Sequence, residues 1–181
     1  MNNKNLFMQL DGKYIKELII LKLKKYYEFV KGEEYKNSFI NLTITYGYSD
    51  FIEMLSRIAL EKVVERIREI SEQGKVRILF NEEIKINNKK GDLLKTCDVI
   101  LFTNETVEVI RIVPMELDII NVNNDDESMI LGIGVIDKFA TQMDCKYINL
   151  TVIQPNLITT SIYETSINKF LHEYDFSLIW S

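Results

Sequence analysis

The sequence predicts an α/β protein built on a mixed sheet, and three observations carry that expectation. Residues 96–113 hold two β-branched apolar runs around a short polar break, Thr103-Asn104-Glu105, which is the pattern of a hairpin. Residues 49–73 repeat apolar side chains at helical spacing: Phe51, Leu55, Ile58, Val63, Ile67 and Ile70. A second helical stretch, 126–143, then separates the hairpin from another β-branched run at 146–154. A helix between strands is a crossover, so the order from residue 49 is helix, three strands, helix, strand, helix. Those elements form one 181-residue domain, with 1–48 as an N-terminal helical extension and 49–181 as the core.

Taken in order, 13–31 is a helix with Tyr14, Leu18, Leu21 and the pair Ile19-Ile20 on one broad face. Lys16, Lys22, Lys24, Lys25 and Lys31 make the rest of it basic. Residues 38–46, with Phe39, Leu42, Ile44 and Tyr46 among polar neighbours, read as a strand. Ser49 and Asp50 cap the helix at 49–73, with Glu53 in capping-box position to Asp50 and Gly74 at its end. A strand at 75–87 and a turn at 87–91 lead into the hairpin, which Pro114 closes. The polar stretch 121–126 precedes the helix at 126–143, which carries Met129, Ile133, Ile136 and Ala140. Its Gly132 and Gly134 allow close approach to the sheet. The strand at 146–154 stops at Gln154-Pro155. A last helix at 165–174 and an edge strand at 176–180 complete the chain.

Composition excludes several function classes. A net charge of -5 gives no global pull toward nucleic acid or an anionic membrane. A single histidine, His172, leaves no basis for a zinc cluster or a Ser-His-Asp triad. Cys97 and Cys145 sit in apolar surroundings without ligand spacing, which fits a reducing cytoplasm, and no apolar run is long enough for a bilayer. The wealth of Asn, Ile and Lys points to an AT-rich bacterial or phage genome.

The hairpin carries the most informative pair. If Asn104 and Glu105 form a two-residue loop, Val99 faces Ile110 and Asp98 faces Arg111 by counting. Both faces of the pair are apolar, so the hairpin belongs inside a covered sheet. Charges placed there need a partner. The expectation is a structural ion pair between Asp98 and Arg111; the functional alternative is a relic site gripping a phosphate through Arg111. For Lys22, Lys24 and Lys25 a solvated face is expected, against contact with a DNA backbone. Tyr26, Tyr27 and Phe29 read as aromatics packed on the sheet, against an exposed patch for a protein partner.

Residues 57–181 resemble the phage-encoded, RecB-like exonucleases of the PD-(D/E)XK superfamily. Those proteins carry Gly-Thr-Ala-Asp on the second core strand, Val-Ile-Asp-x-Lys on the next, then Gln-Pro-Arg-x and Trp-Glu-x-Ser. Here the same places read Lys95-Thr96-Cys97-Asp98, Val109-Ile110-Arg111-Ile112-Val113, Gln154-Pro155-Asn156-Leu157 and Tyr163-Glu164-Thr165-Ser166. The resemblance implies two acids on a divalent metal and a lysine positioning water. This chain keeps Asp98, but Arg111 stands for the second acid and Val113 for the lysine. A guanidinium opposes a divalent cation, so the resemblance implies a nuclease fold without nuclease chemistry and without a cofactor. Fold and function separate easily. The expected role is a binding module of a phage or mobile element, acting in the host cytoplasm on a protein partner such as a CRISPR effector or another defence nuclease, in the manner of an anti-CRISPR inhibitor. One alternative is a magnesium-dependent exonuclease using Asp98 with Glu82 or Glu83; another is a non-catalytic subunit that holds DNA weakly through the first helix.

Overall fold

The computed structural model describes residues 12–32, 38–86, 91–115, 120–122, 125–139, 145–155 and 158–164. They form four helices and five strands: α1 (Gly12–Val30), α2 (Ser38–Tyr46), α3 (Tyr48–Ser71), β1 (Arg77–Ile86), β2 (Leu93–Phe102), β3 (Thr106–Ile112), α4 (Asp126–Phe139), β4 (Tyr147–Ile153) and β5 (Ile158–Glu164). The fold is mixed α/β. These residues fall into two compact units. One takes α1–α3 together with Ile112, Ile153 and the residues following each; the other takes the sheet as far as Arg111 and Val152, with α4 and β5.

In the helical unit the inner side of α1 is Ile15, Ile19, Leu23 and Val30, at helical spacing and buried. Tyr14 and Leu21, expected on that side, are exposed instead. The segment expected as a strand at 38–46 is the helix α2. It buries Phe39, Ile40 and Thr43, the one-and-four spacing of a helix face. Phe39 then packs edge-on against Tyr26 and Phe51, with centroids at 5.1 and 5.4 Å. Tertiary packing of that kind overrides the β preference of its Thr and Ile residues. On α3 the predicted stripe is buried at Phe51, Leu55, Val63, Ile67 and Ile70, joined by Ile52 and Ala59. The predicted capping box is absent: Gly47, at φ 86°, is the N-cap and supplies no side-chain bond, and its carbonyl accepts from Phe51 N–H at 3.0 Å. Glu53 instead receives Lys16 Nζ.

In the sheet unit the strand order is β1-β2-β3-β4-β5. β1, β2 and β3 run antiparallel, and Val99 does face Ile110, as counting through a two-residue loop requires. Thr103 N–H donates to Thr106 O at 2.8 Å across that loop. β4 lies parallel to β3: Glu105 O accepts from Tyr147 N–H at 3.0 Å, and Val113 N–H donates to Ile153 O at 2.8 Å. The sheet is therefore mixed. β5, a strand not expected from the sequence, borders β4.

Partners across an antiparallel ladder share a face, and alternate residues do too. Lys95 reaches Glu127 of α4 at 2.8 Å and Glu82 reaches Lys138 at 2.8 Å. Ile84 and Ile86 meet Gly134, where an added Cβ would run into Ile84 Cγ2, so α4 approaches closely at that one of its two glycines. These residues define the α4 face of β1 and β2, and Leu101 and its partner Glu108 belong to it by alternation. Asp98 and Arg111 belong to the opposite face. The helix expected at 165–174, the edge strand at 176–180 and His172 lie outside the described residues.

Candidate functional site

Asp98 sits in the middle of β2 between buried Cys97 and Val99, and is itself 4% exposed. Arg111 lies near the end of the next strand, one step beyond the Val99–Ile110 pair. Opposite Asp98 on β1 the ladder passes over Asn81, which lies between the Phe80–Val99 and Glu82–Cys97 pairs. Asn81 has φ 51°, the left-handed region that asparagine tolerates better than most residues.

The carboxylate that Arg111 forks onto is Asp125. Nε donates to Oδ2 at 3.0 Å and Nη2 to Oδ1 at 2.9 Å, with 21% and 12% of the two side chains exposed. This corrects the expected pairing of Arg111 with Asp98: the planar fork takes a carboxylate side-on, and Asp125 presents one. Asp125 is also the N-cap of α4. Its Oδ2 accepts from Ser128 N–H at 3.3 Å and from Ser128 Oγ, and its carbonyl accepts from Met129 N–H at 3.1 Å. One carboxylate thus ties the end of β3 to the first turn of α4. A signal for it was present in the sequence, because Asp125 stands directly before the helical pattern with Ser128 three residues on.

Val113 is buried. Of the other acids considered, Glu82 lies on the α4 face, turned away from Asp98 and held by Lys138 Nζ. Glu83 shares the Asp98 face and is exposed, and its carbonyl accepts from Lys138 at 2.7 Å. Among the described residues no three His, Cys, Asp or Glu side chains come together as a metal site.

The basic residues of α1 divide. Lys22 is half-buried and donates from Nζ to Ile112 O at 2.7 Å, so its ammonium has a structural task. Lys24 and Lys25 are exposed. The aromatics divide as well. Tyr26 packs on Phe39 and Tyr27 on Tyr48, helix against helix, while Phe29 is 84% exposed. Burial and the negative charge of Glu28 push the Tyr48 hydroxyl above the ordinary tyrosine value.

A second polar cluster is centred on β3. Glu108 is 2% exposed and its Oε1 accepts from Thr151 Oγ1 of β4 at 2.7 Å. That hydroxyl is 2.9 Å from Thr160 Oγ1 of β5. The three side chains make a polar row across β3, β4 and β5. Asn149, two residues before Thr151, shares that side, and its buried Oδ1 has no hydrogen-bond partner among the described residues.

The family model described as "Protein of unknown function (DUF2800)" matches residues 1–176. The match begins at residue 1, so the helical N-terminal segment is part of what that family shares. No curated protein matches the sequence. The solved structure described as "Crystal structure of SSO0001" aligns with 92% of this chain and 86% of its own, at 14% identity and a TM-score of 0.33. No helix among the described residues is long and apolar enough to cross a membrane.

Proposed function

The chain belongs to the DUF2800 family, and from that premise we propose that it is a PD-(D/E)XK-like protein that has lost nuclease chemistry and works as a binding module. Its leading specific role is inhibition of a host defence nuclease, such as a CRISPR effector, in the cytoplasm of a bacterium carrying the phage or mobile element. The observation that carries the reading is Arg111. It stands where the resembled motif puts its second metal ligand, and its fork is closed on Asp125. A cation brought beside it meets a fixed positive charge, and Val113 has no amino group with which to orient water. An intact apolar sheet without those two groups keeps its packing and can serve recognition alone.

The test has two arms. Incubated with magnesium or manganese, the purified protein leaves single- and double-stranded DNA intact. Added to a CRISPR effector loaded with its guide, it lowers cleavage of the matched target. Metal-dependent degradation that disappears in Asp98→Ala reverses the reading in favour of an exonuclease using Asp98 with Glu82 or Glu83. The exposure of Lys24 and Lys25 favours a second reading, a non-catalytic DNA-binding subunit. That reading predicts duplex binding which persists at physiological salt and falls on charge reversal of both lysines.

A further inference from the structure

α1 buries one side and leaves large apolar side chains in water on the other. Tyr14 is 47% exposed, Leu21 50% and Phe29 84%. At about 100° per residue these three and Lys25 fall within a sector of roughly 80°, a continuous stripe along about 22 Å of helix. Glu17 and Lys24 run along one edge of it, and neither Glu17 nor Lys25 holds an ion-pair partner among the described residues. Single exposed apolar residues need no explanation, but a stripe along one helix marks an interaction face.

We infer that this face of α1 binds a second copy of the chain, the two helices crossing antiparallel about a twofold axis at Leu21. The charge pattern selects that occupant. Glu17 lies four residues before Leu21 and Lys25 four after it, so the twofold sets each Glu17 against the partner's Lys25. Each Leu21 meets the partner's Leu21. Tyr14 is seven residues before the axis and Phe29 eight after it. At about 1.5 Å of rise per residue, each Tyr14 comes level with the partner's Phe29 to within about one residue. Aromatic, aliphatic and charged positions therefore match under one operation, as an isologous contact requires. A nucleic acid fits the same face poorly, because Glu17 and Glu28 stand among its lysines and repel phosphate.

Sedimentation of the full chain over a rising micromolar concentration series tests the inference, and the expected result is a monomer–dimer equilibrium. Leu21→Asp with Phe29→Ser yields monomer at concentrations where wild type is dimer, with an unfolding midpoint equal to that of wild type diluted to monomer, because Leu21 is half exposed and Phe29 mostly exposed. Glu17→Lys and Lys25→Glu each set like charges together twice per dimer and weaken self-association by about tenfold. Mixed with each other, those two variants form a heterodimer, since both contacts then join a chain carrying only lysines at the two positions to one carrying only glutamates. The inference is overturned if wild type stays monomeric throughout, if the apolar double substitution leaves the dimer intact, or if the two charge variants fail to recover association on mixing.

Discussion

Arg111 and Glu108 lie three residues apart on β3, on opposite faces of the sheet, and the chain handles their charges in different ways. Arg111 reaches the sheet margin, keeps 21% of its side chain in water and takes an opposite charge in a two-pronged contact. Glu108 is sealed at 2% exposure and has Thr151, a neutral hydroxyl, as one of its partners. The first arrangement joins two elements, the end of β3 and the N-terminus of α4, so one contact fixes where the helix begins. The second runs sideways along the sheet and ties the register of β3, β4 and β5. A strand can therefore carry charge inward only where a neighbouring element answers it, by a carboxylate at a helix cap or by hydroxyls on adjacent strands.

The largest expected effect comes from removing that answer on the Arg111 side. Asp125→Ala leaves the guanidinium without its fork and α4 without its cap, and unfolding by denaturant shows a loss of about 3 kcal/mol. On the Glu108 side, Thr151→Val removes a donor from a buried carboxylate and lowers stability by about 2 kcal/mol. Glu108→Gln keeps an acceptor for Thr151 and lowers it by less than about 1 kcal/mol. If Thr151→Val proves the more damaging substitution, the polar row outweighs the helix anchor and the contrast is reversed. At Asn81, opposite Asp98, Asn81→Gly is neutral in the same measurement, whereas Asn81→Val forces a β-branched residue into the left-handed region at about 1–2 kcal/mol.

The smallest effect separates buried charge from surface charge. Lys16 donates to Glu53 and holds its carboxyl below the ordinary glutamate value, on an exposed part of α3. A lowered carboxylate contributes stability that is fully present above its unfolded value and is lost as pH falls through its folded one. Lys16→Met therefore costs a small amount of stability at pH 7, since exposed pairs contribute little, and the difference from wild type disappears as pH falls through the folded value of Glu53.

The sheet was the more legible half of the molecule. β-branched runs and a two-residue break define the hairpin so tightly that the Val99–Ile110 register follows by counting, because a slip of one residue would turn every apolar side chain over. The helical unit was less legible. Phe39, Ile44 and Thr45 carry a local β preference that packing against Tyr26 and Phe51 overrides, and Lys22 breaks the apolar pattern that would have marked the inner face of α1. β5 passed unread although Ile158, Thr159, Thr160 and Ile162 follow a Pro155 turn, a strand signal in plain view. At the candidate site the sequence identified Asp98 and Arg111 as charges inside a covered sheet. It missed Asp125, because counting along a hairpin finds cross-strand neighbours and cannot find a helix cap that folds back onto the strand end.

Arg111 as a structural anchor, its fork closed on Asp125, is the centre of this account. The most direct measurement is a double-mutant cycle in unfolding free energy with Arg111→Met, Asp125→Ala and the pair together, since coupling is read as the departure from additivity. The predicted coupling is about 1.5–3 kcal/mol, with the double mutant close to the worse single mutant because no orphan charge remains. Additive effects would contradict the account: Arg111 would then not be committed to Asp125, and its guanidinium would be available for a ligand.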